Sequence, residues 1–202
     1  RPRRRRAVLR ATRLAGFYWI LTFIGLAWFA PRLMPPLSIP QQQGISLKIV
    51  TFNMLPQNLR LSEVTEWLLA ENADVIAVQE MGSELPAIES AYPYHVSQGF
   101  VNGQAVFSRY PIQLSETIQL GDTPHQRVLL NLDGRTVVLY NVHLYMPLND
   151  NENRPLLLRY DETRRNQQIN ELLTFIAGEN QPVIVAGDFN MSEFSPIYSR
   201  LD

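Results

Sequence analysis

Five polar side chains stand where apolar runs of strand length end. Asn53 follows the run Leu47–Phe52, and Glu80 closes Asp74–Gln79. His143 follows Thr136–Val142, while Asp188 and Asn190 follow Pro182–Gly187. Each has an ordinary explanation by itself, as a turn former, a cap, a strand-end imidazole or an Asx turn. As a set they mean that four apolar strands each release a metal- or phosphate-competent group on leaving the core. A hard cation such as Mg²⁺, or Mn²⁺ in its stead, prefers oxygen ligands, which Glu80 offers as a carboxylate and Asn53 as an amide oxygen or as its orienting partner. Asp188 is the type to align or deprotonate a water, and His143 and Asn190 can donate hydrogen bonds to phosphate oxygens as charge shifts in a transition state. The expected catalytic set is therefore His143, Asp188 and Asn190, with Glu80 and Asn53 at the metal. Arg127, just before a strand, is a candidate phosphate contact, or like Arg109 a partner for a core-edge carboxylate. Arg164 and Arg165 are expected on the outer, solvated part of a helix. His95 and His125 read as loop residues.

These groups need elements to hold them. The segment Ser62–Glu71 carries Val64, Trp67 and Leu68 at helical spacing, with Ser62 to cap its start and Asn72 to close its end. Gln104–Ser108 is a third strand, and Arg127–Leu132 and Thr136–Val142 are two more. Asp133-Gly134 joins those two as a type I′ hairpin, whose central residues need positive φ. Ile169, Leu172, Leu173 and Ile176 mark one face of a helix that ends at Gly178, a residue suited to a left-handed C′ position. Ser195-Pro196 predicts the opening of a last helix. Strands interleaved with helices, and a hairpin among them, predict a layered α/β protein with partly antiparallel sheets. The loop Tyr145–Arg159, polar in its middle and adjacent to His143, is the expected chooser of substrate.

Composition excludes some chemistry and divides the chain. There is no cysteine, hence no disulfide, thiolate ligand or cysteine nucleophile. Eight of the 18 basic residues are arginines at or before position 32, so beyond them 10 basic residues face all 19 acidic ones. Such an acidic domain does not attract nucleic acid through its overall field, so a polyanion has to be held locally. The uncharged run Leu14–Ala30, LAGFYWILTFIGLAWFA, spans about 25 Å as a helix, with aromatic residues near both ends. This predicts a basic cytoplasmic segment over 1–13, a transmembrane anchor over 14–34 and a Pro- and Gln-rich linker over 35–46. By the positive-inside rule, the domain over 47–202 then lies outside the cell membrane, on the periplasmic or extracellular side. A cleaved signal peptide is the rival, disfavoured by bulky Trp28 at the position where cleavage needs a small residue. The leading Arg1 suggests a chain that begins as a fragment.

The segments LKIVTFNM, DVIAVQE, NGQAVFSRYPI, LYNVHLYMP and PVIVAGDFN, in this order, resemble the endonuclease/exonuclease/phosphatase family of deoxyribonuclease I, apurinic endonucleases, sphingomyelinases and inositol polyphosphate phosphatases. The resemblance implies a two-sheet α/β sandwich, deoxyribonuclease I-like, with its site at one end of the sheets. It also implies Mg²⁺-assisted attack of water on a phosphoester in nucleic acid, a phospholipid headgroup or a soluble compound. Asn53 matches the family's first-strand asparagine, Glu80 its metal-binding glutamate and His143 its phosphate-facing histidine. Asp188 matches the aspartate that orients the nucleophile, and Asn190 the asparagine that contacts phosphate. The family further has an acidic metal-site residue and an Asp-His pair well after GDFN, and neither follows here. The expectation is thus a membrane-anchored, bacterial-type member cut short at its C-terminus, with impaired activity and no protein partner implied. The alternative is a catalytically inactive member acting as a membrane-tethered binding module.

Overall fold

The computed structural model describes residues 2–33, 46–99, 103–149, 155, 159–192, 195 and 197–200. The chain forms two compact units, Arg1–Gly44 and Ile45–Asp202. The first is built on one helix, α1 (Pro2–Leu33). Its large apolar side chains are exposed, Trp19 at 64% and Phe23 at 66%. Among the described residues no helix is long and apolar enough to cross a membrane. Apart from Ser46, the expected linker lies outside the described residues.

The second unit holds two four-stranded sheets. One contains β1 (Ile49–Asn53), β2 (Val75–Met81), β3 (Tyr94–Gln98) and β4 (Gly103–Ser108), in the order β1-β2-β4-β3. The other runs in sequence order through β5 (Ile112–Leu120), β6 (Thr123–Leu132), β7 (Arg135–His143) and β8 (Val183–Asp188). Of these strand pairs, β1 with β2 and β7 with β8 are parallel. Parallel neighbours need a crossover, and helices α2 (Leu61–Ala70) and α4 (Thr163–Ala177) supply one each. A short α3 (Pro86–Ala91) lies between β2 and β3.

Alternation along the strands makes the sandwich. Val75, Ala77 and Val106 from the first sheet pack with Val128, Leu130 and Leu139 from the second. The opposite faces meet helices: Ile76, Val78 and Phe107 pack with Leu68 and Ile88, and Val138, Tyr140 and Val142 with Ile169 and Leu172. This is the expected α/β sandwich. Because each parallel pair points its C-terminal ends the same way, Asn53 comes beside the end of β2 and His143 directly opposite Asp188.

Several local expectations change. Strands β3 and β5 and helix α3 were not foreseen, because β3 is a largely exposed edge strand and β5 is polar over its first half. Helix α2 starts behind Arg60, whose N–H is accepted by Asn58 Oδ1 at 2.9 Å, so Ser62 sits inside the first turn instead of capping it. Asn72 closes this helix with φ +50°, as expected. Gly178 is right-handed, with φ −85°, because Glu179 must continue on toward Arg127. The Asp133-Gly134 turn has φ +51° and +92°, as the hairpin signal requires. Among the described residues after Ser195, Tyr198–Arg200 form a 3₁₀ turn where a helix was expected.

Candidate active site

At the end of β1, the Asn53 side chain can be oriented only one way. Its Oδ1 accepts the Leu55 N–H at 3.0 Å, so its amide nitrogen faces the opposite side. There it donates to Glu80 Oε1 at 2.8 Å and to Asp188 Oδ2 at 3.0 Å. One NH₂ group thus brings together carboxylates 108 positions apart in sequence, from different sheets. Its oxygen is turned away from both carboxylates, the arrangement of an orienting partner.

Glu80 is not at a strand tip but on a bulge. The register between β2 and β4 shifts between Val78 and Met81, and Glu80 has φ +52°, rare for a residue with a side chain. The bulge turns the carboxylate out of the core, where neighbouring Gln79 is 1% exposed, toward the site. His143 Nε2 lies 3.3 Å from Glu80 Oε1. Asp188 Oδ1 accepts the Asn190 N–H at 2.9 Å, an Asx turn that frees Oδ2 for Asn53. Asn190 has φ +49°, and its side chain donates to the Leu144 carbonyl at 2.7 Å. All five expected residues therefore converge. Glu80, His143 and Asn190 line a cleft of about 510 Å³ together with Tyr145, Met146 and Arg159, while Asn53 and Asp188 support Glu80 without lining it.

Two supporting residues were misread from sequence. Arg165 is 2% exposed, not solvated. It donates to the Asn190 carbonyl at 2.6 Å and to Glu162 at 2.8 Å, clamping the turn after β8. Its signal was present, since positions 165, 169 and 172 share one helix face. His125 is 1% exposed inside β6, which begins four residues earlier than expected. Its Nδ1 accepts the backbone N–H of His143 at 3.1 Å, so its Nε2 carries the proton and donates to Thr123 Oγ1 at 3.0 Å. Burial, helped by the neighbouring His143, pushes its pKa down to about 4, which keeps the ring neutral and able to accept. His95 is an exposed residue of β3, not of a loop.

Between the sheets, Gln79 donates to Asn141 Oδ1 at 2.6 Å, and Asn141 donates to the Val78 carbonyl and to Gln126 Oε1. This chain of buried amides ties the two sheets together next to the carboxylates, as only a fully paired polar network can. Arg127 does not line the cleft and takes its other expected role, as partner to a carboxylate. It donates to Glu179 at 2.6 and 2.8 Å and to Glu116 at 2.7 Å, and Tyr140 also donates to Glu179. The hydrogen bonds from Arg127 hold the Glu179 carboxyl below its usual range. Arg109 is likewise structural, hydrogen-bonded to Asn72 Oδ1 and stacked over Tyr92.

The donor set suits a hard cation. Glu80 and Asp188 present carboxylate oxygens held close by one amide. Among the described residues no group of three or more His, Asp or Glu side chains is placed to hold a metal ion. Mg²⁺ is commonly held by only one or two carboxylates and keeps several waters.

Residues 50–202 match the Endonuclease/Exonuclease/phosphatase family. The chain belongs to this family. Among solved structures, sphingomyelinase C from Streptomyces griseocarneus is similar at 20% identity and TM-score 0.61, over 77% of this chain and 68% of that one. D. rerio TDP2 complexed with single strand DNA product is similar at 17% and 0.58, over 76% and 64%. ANGEL2, a 2',3'-cyclic phosphatase, is similar at 18% and 0.58, over 79% and 60%. At these identities the likeness shows the fold, and this family member spans roughly two thirds of their length. No curated protein matches the chain.

Proposed function

We propose that this protein is a divalent-metal-dependent hydrolase of phosphoester bonds, with Mg²⁺ or Mn²⁺ held at Glu80. One observation carries the reading: the Asn53 amide joins Glu80 and Asp188, with His143 against the same Glu80 oxygen. Family membership and the phosphoester chemistry named for the sphingomyelinase and phosphatase structures support it. A bound cation supplies charge neutralisation at the phosphate and lowers the pKa of a water. Glu80 holds it, with Asn53 fixing the carboxylate. Asp188, kept in place by Asn53 and the Asn190 N–H, orients a water for in-line attack. His143 donates from its imidazole to a phosphate oxygen, and Asn190 adds a second donor where negative charge grows. The substrate is a nucleic acid, a phospholipid headgroup or a soluble phosphoester.

The apolar run of α1 and the arginines before it support a membrane tether over residues 14–34, with the catalytic unit on the outer side. Hydrolysis of DNA, RNA, sphingomyelin and inositol phosphates by the full-length protein with Mg²⁺ tests the activity, beside Glu80→Ala and Asp188→Ala. Each substitution is expected to lower the rate by one to several orders of magnitude. A Mg²⁺-dependent rate that neither substitution changes overturns the assignment.

A further inference from the structure

Where β7 runs out, the chain passes through His143, Leu144 and Tyr145, and the N–H of each needs an acceptor. Successive N–H groups of an extended chain point to opposite sides. Leu144 turns toward β8 and donates to the Asp188 carbonyl at 2.8 Å. His143 and Tyr145 turn the other way, toward β6, where the pairing with β7 has already ended at Gln126 and Asn141. Two side chains serve as acceptors there instead of a strand. The His143 N–H donates to His125 Nδ1 at 3.1 Å, and the Tyr145 N–H donates to Gln168 Oε1 at 2.8 Å.

These two side chains, one from β6 and one from α4, meet at a single hydroxyl. With Nδ1 accepting, the His125 proton is on Nε2, which donates to Thr123 Oγ1 at 3.0 Å. With Oε1 accepting, the Gln168 NH₂ donates to the same Oγ1 at 2.7 Å and to the Leu120 carbonyl at 3.0 Å. Thr123 thus accepts twice, and its own hydrogen goes to the Leu120 carbonyl at 3.1 Å. His125 and Gln168 are each 1% exposed, so a turn of either ring or amide would leave polar groups unpaired away from water. The unit is therefore rigid, and it lies against the cleft, which Thr123, His143 and Tyr145 all line.

We propose that His125, Thr123 and Gln168 are positioning residues for hydrolysis: they fix the exit of β7 so that the His143 imidazole meets the phosphate oxygen on which charge grows. The proposal rests on the phosphoester reading above. It goes beyond that reading by giving a part in the transition state to β6 and α4, which carry none of the five residues that converge.

The test measures kcat and KM of the full-length protein with Mg²⁺, on whichever of DNA, RNA, sphingomyelin and inositol phosphates it hydrolyses fastest. His125→Leu and Gln168→Met are each expected to lower kcat about tenfold or more and to keep KM within about twofold, because the aim of a donor counts most in the transition state. His125→Asn, whose amide oxygen stands where Nδ1 stood, is expected to recover most of kcat. In a His143→Ala background the loss from either substitution should shrink to within about twofold. Equal losses in the two backgrounds, an effect on KM alone, or His125→Asn as slow as His125→Leu overturns the proposal. Thr123→Val keeps the side-chain shape and removes only the shared hydroxyl, so it carries the same kcat test if thermal unfolding shows that the other variants do not fold. Failure of the phosphoester reading appears separately, as no Mg²⁺-dependent hydrolysis by the wild-type protein. Residue-resolved amide exchange reads the unit without activity: the His143 N–H in His125→Leu and the Tyr145 N–H in Gln168→Met should exchange about tenfold or more faster than in the wild type, and unchanged rates overturn it.

Discussion

Asn53 donates its amide to two acids at once, and much of the site's geometry follows from that. Without it, Glu80 and Asp188 are like charges at close range with nothing between them, and each can turn away. Asn53→Ala is expected to lower the hydrolytic rate by roughly 10- to 100-fold while circular dichroism stays native, since the amide orients the acids and is not part of the core. His125 gives a prediction about pH. Its folded pKa, about 4, lies below the ordinary value of 6.5, so the unfolded chain binds more protons in between. Its contribution to stability is therefore complete above about pH 6.5 and is lost as pH falls toward 4, by about 3 kcal/mol in all. Urea unfolding of His125→Gln at several pH values from 4 to 7 checks this: the wild-type protein should lose more stability than the variant on acidification. At this scale the sequence was informative but incomplete. The five residues that converge were legible because polar groups at the ends of apolar runs stand out. Arg165 and His125 were not, because burial of a charged or titratable group depends on partners distant in sequence, Asn190 and His143 here.

The elements matter through where they end. Crossovers through α2 and α4 give two parallel pairs whose C-terminal ends carry Asn53 and Glu80 on one sheet and His143 and Asp188 on the other. The pairing of β7 with β8 leaves no room at Gly187: an added Cβ would lie 1.9 Å from the Val142 carbonyl oxygen, and φ is +144°. Gly187→Ala is expected to destabilise the domain by at least about 2 kcal/mol and to displace Asp188, the next residue; thermal unfolding and the Mg²⁺-dependent rate measure the two effects. The buried strands were legible as unbroken apolar runs, and the β6–β7 hairpin as Asp-Gly. Edge strands β3 and β5 were missed because one exposed face dilutes the hydrophobic signal. The bulge that aims Glu80 was missed because register is set by the partner strand, which no local pattern reveals.

The whole chain joins a basic, apolar N-terminal unit to an acidic folded one. That contrast was plain from composition, and the layered α/β class from the alternation of strands and helices, while the two-sheet sandwich came from the family resemblance. The proposed tether makes a prediction at this scale. Ile20→Arg with Ile24→Arg, both in the uncharged run, should move the protein from the membrane fraction to the soluble one, since two charges near mid-span cost several kcal/mol. Retention in the membrane fraction would mean that these residues do not anchor the chain.

The most direct test of a single centre built by both sheets is a double-mutant cycle on the Mg²⁺-dependent rate, with Glu80→Ala, Asp188→Ala and the pair. If the two carboxylates serve one centre, the double variant should be scarcely slower than the slower single variant, because the second loss removes a group with nothing left to act on. Losses that multiply, as they do for independent sites, would contradict it.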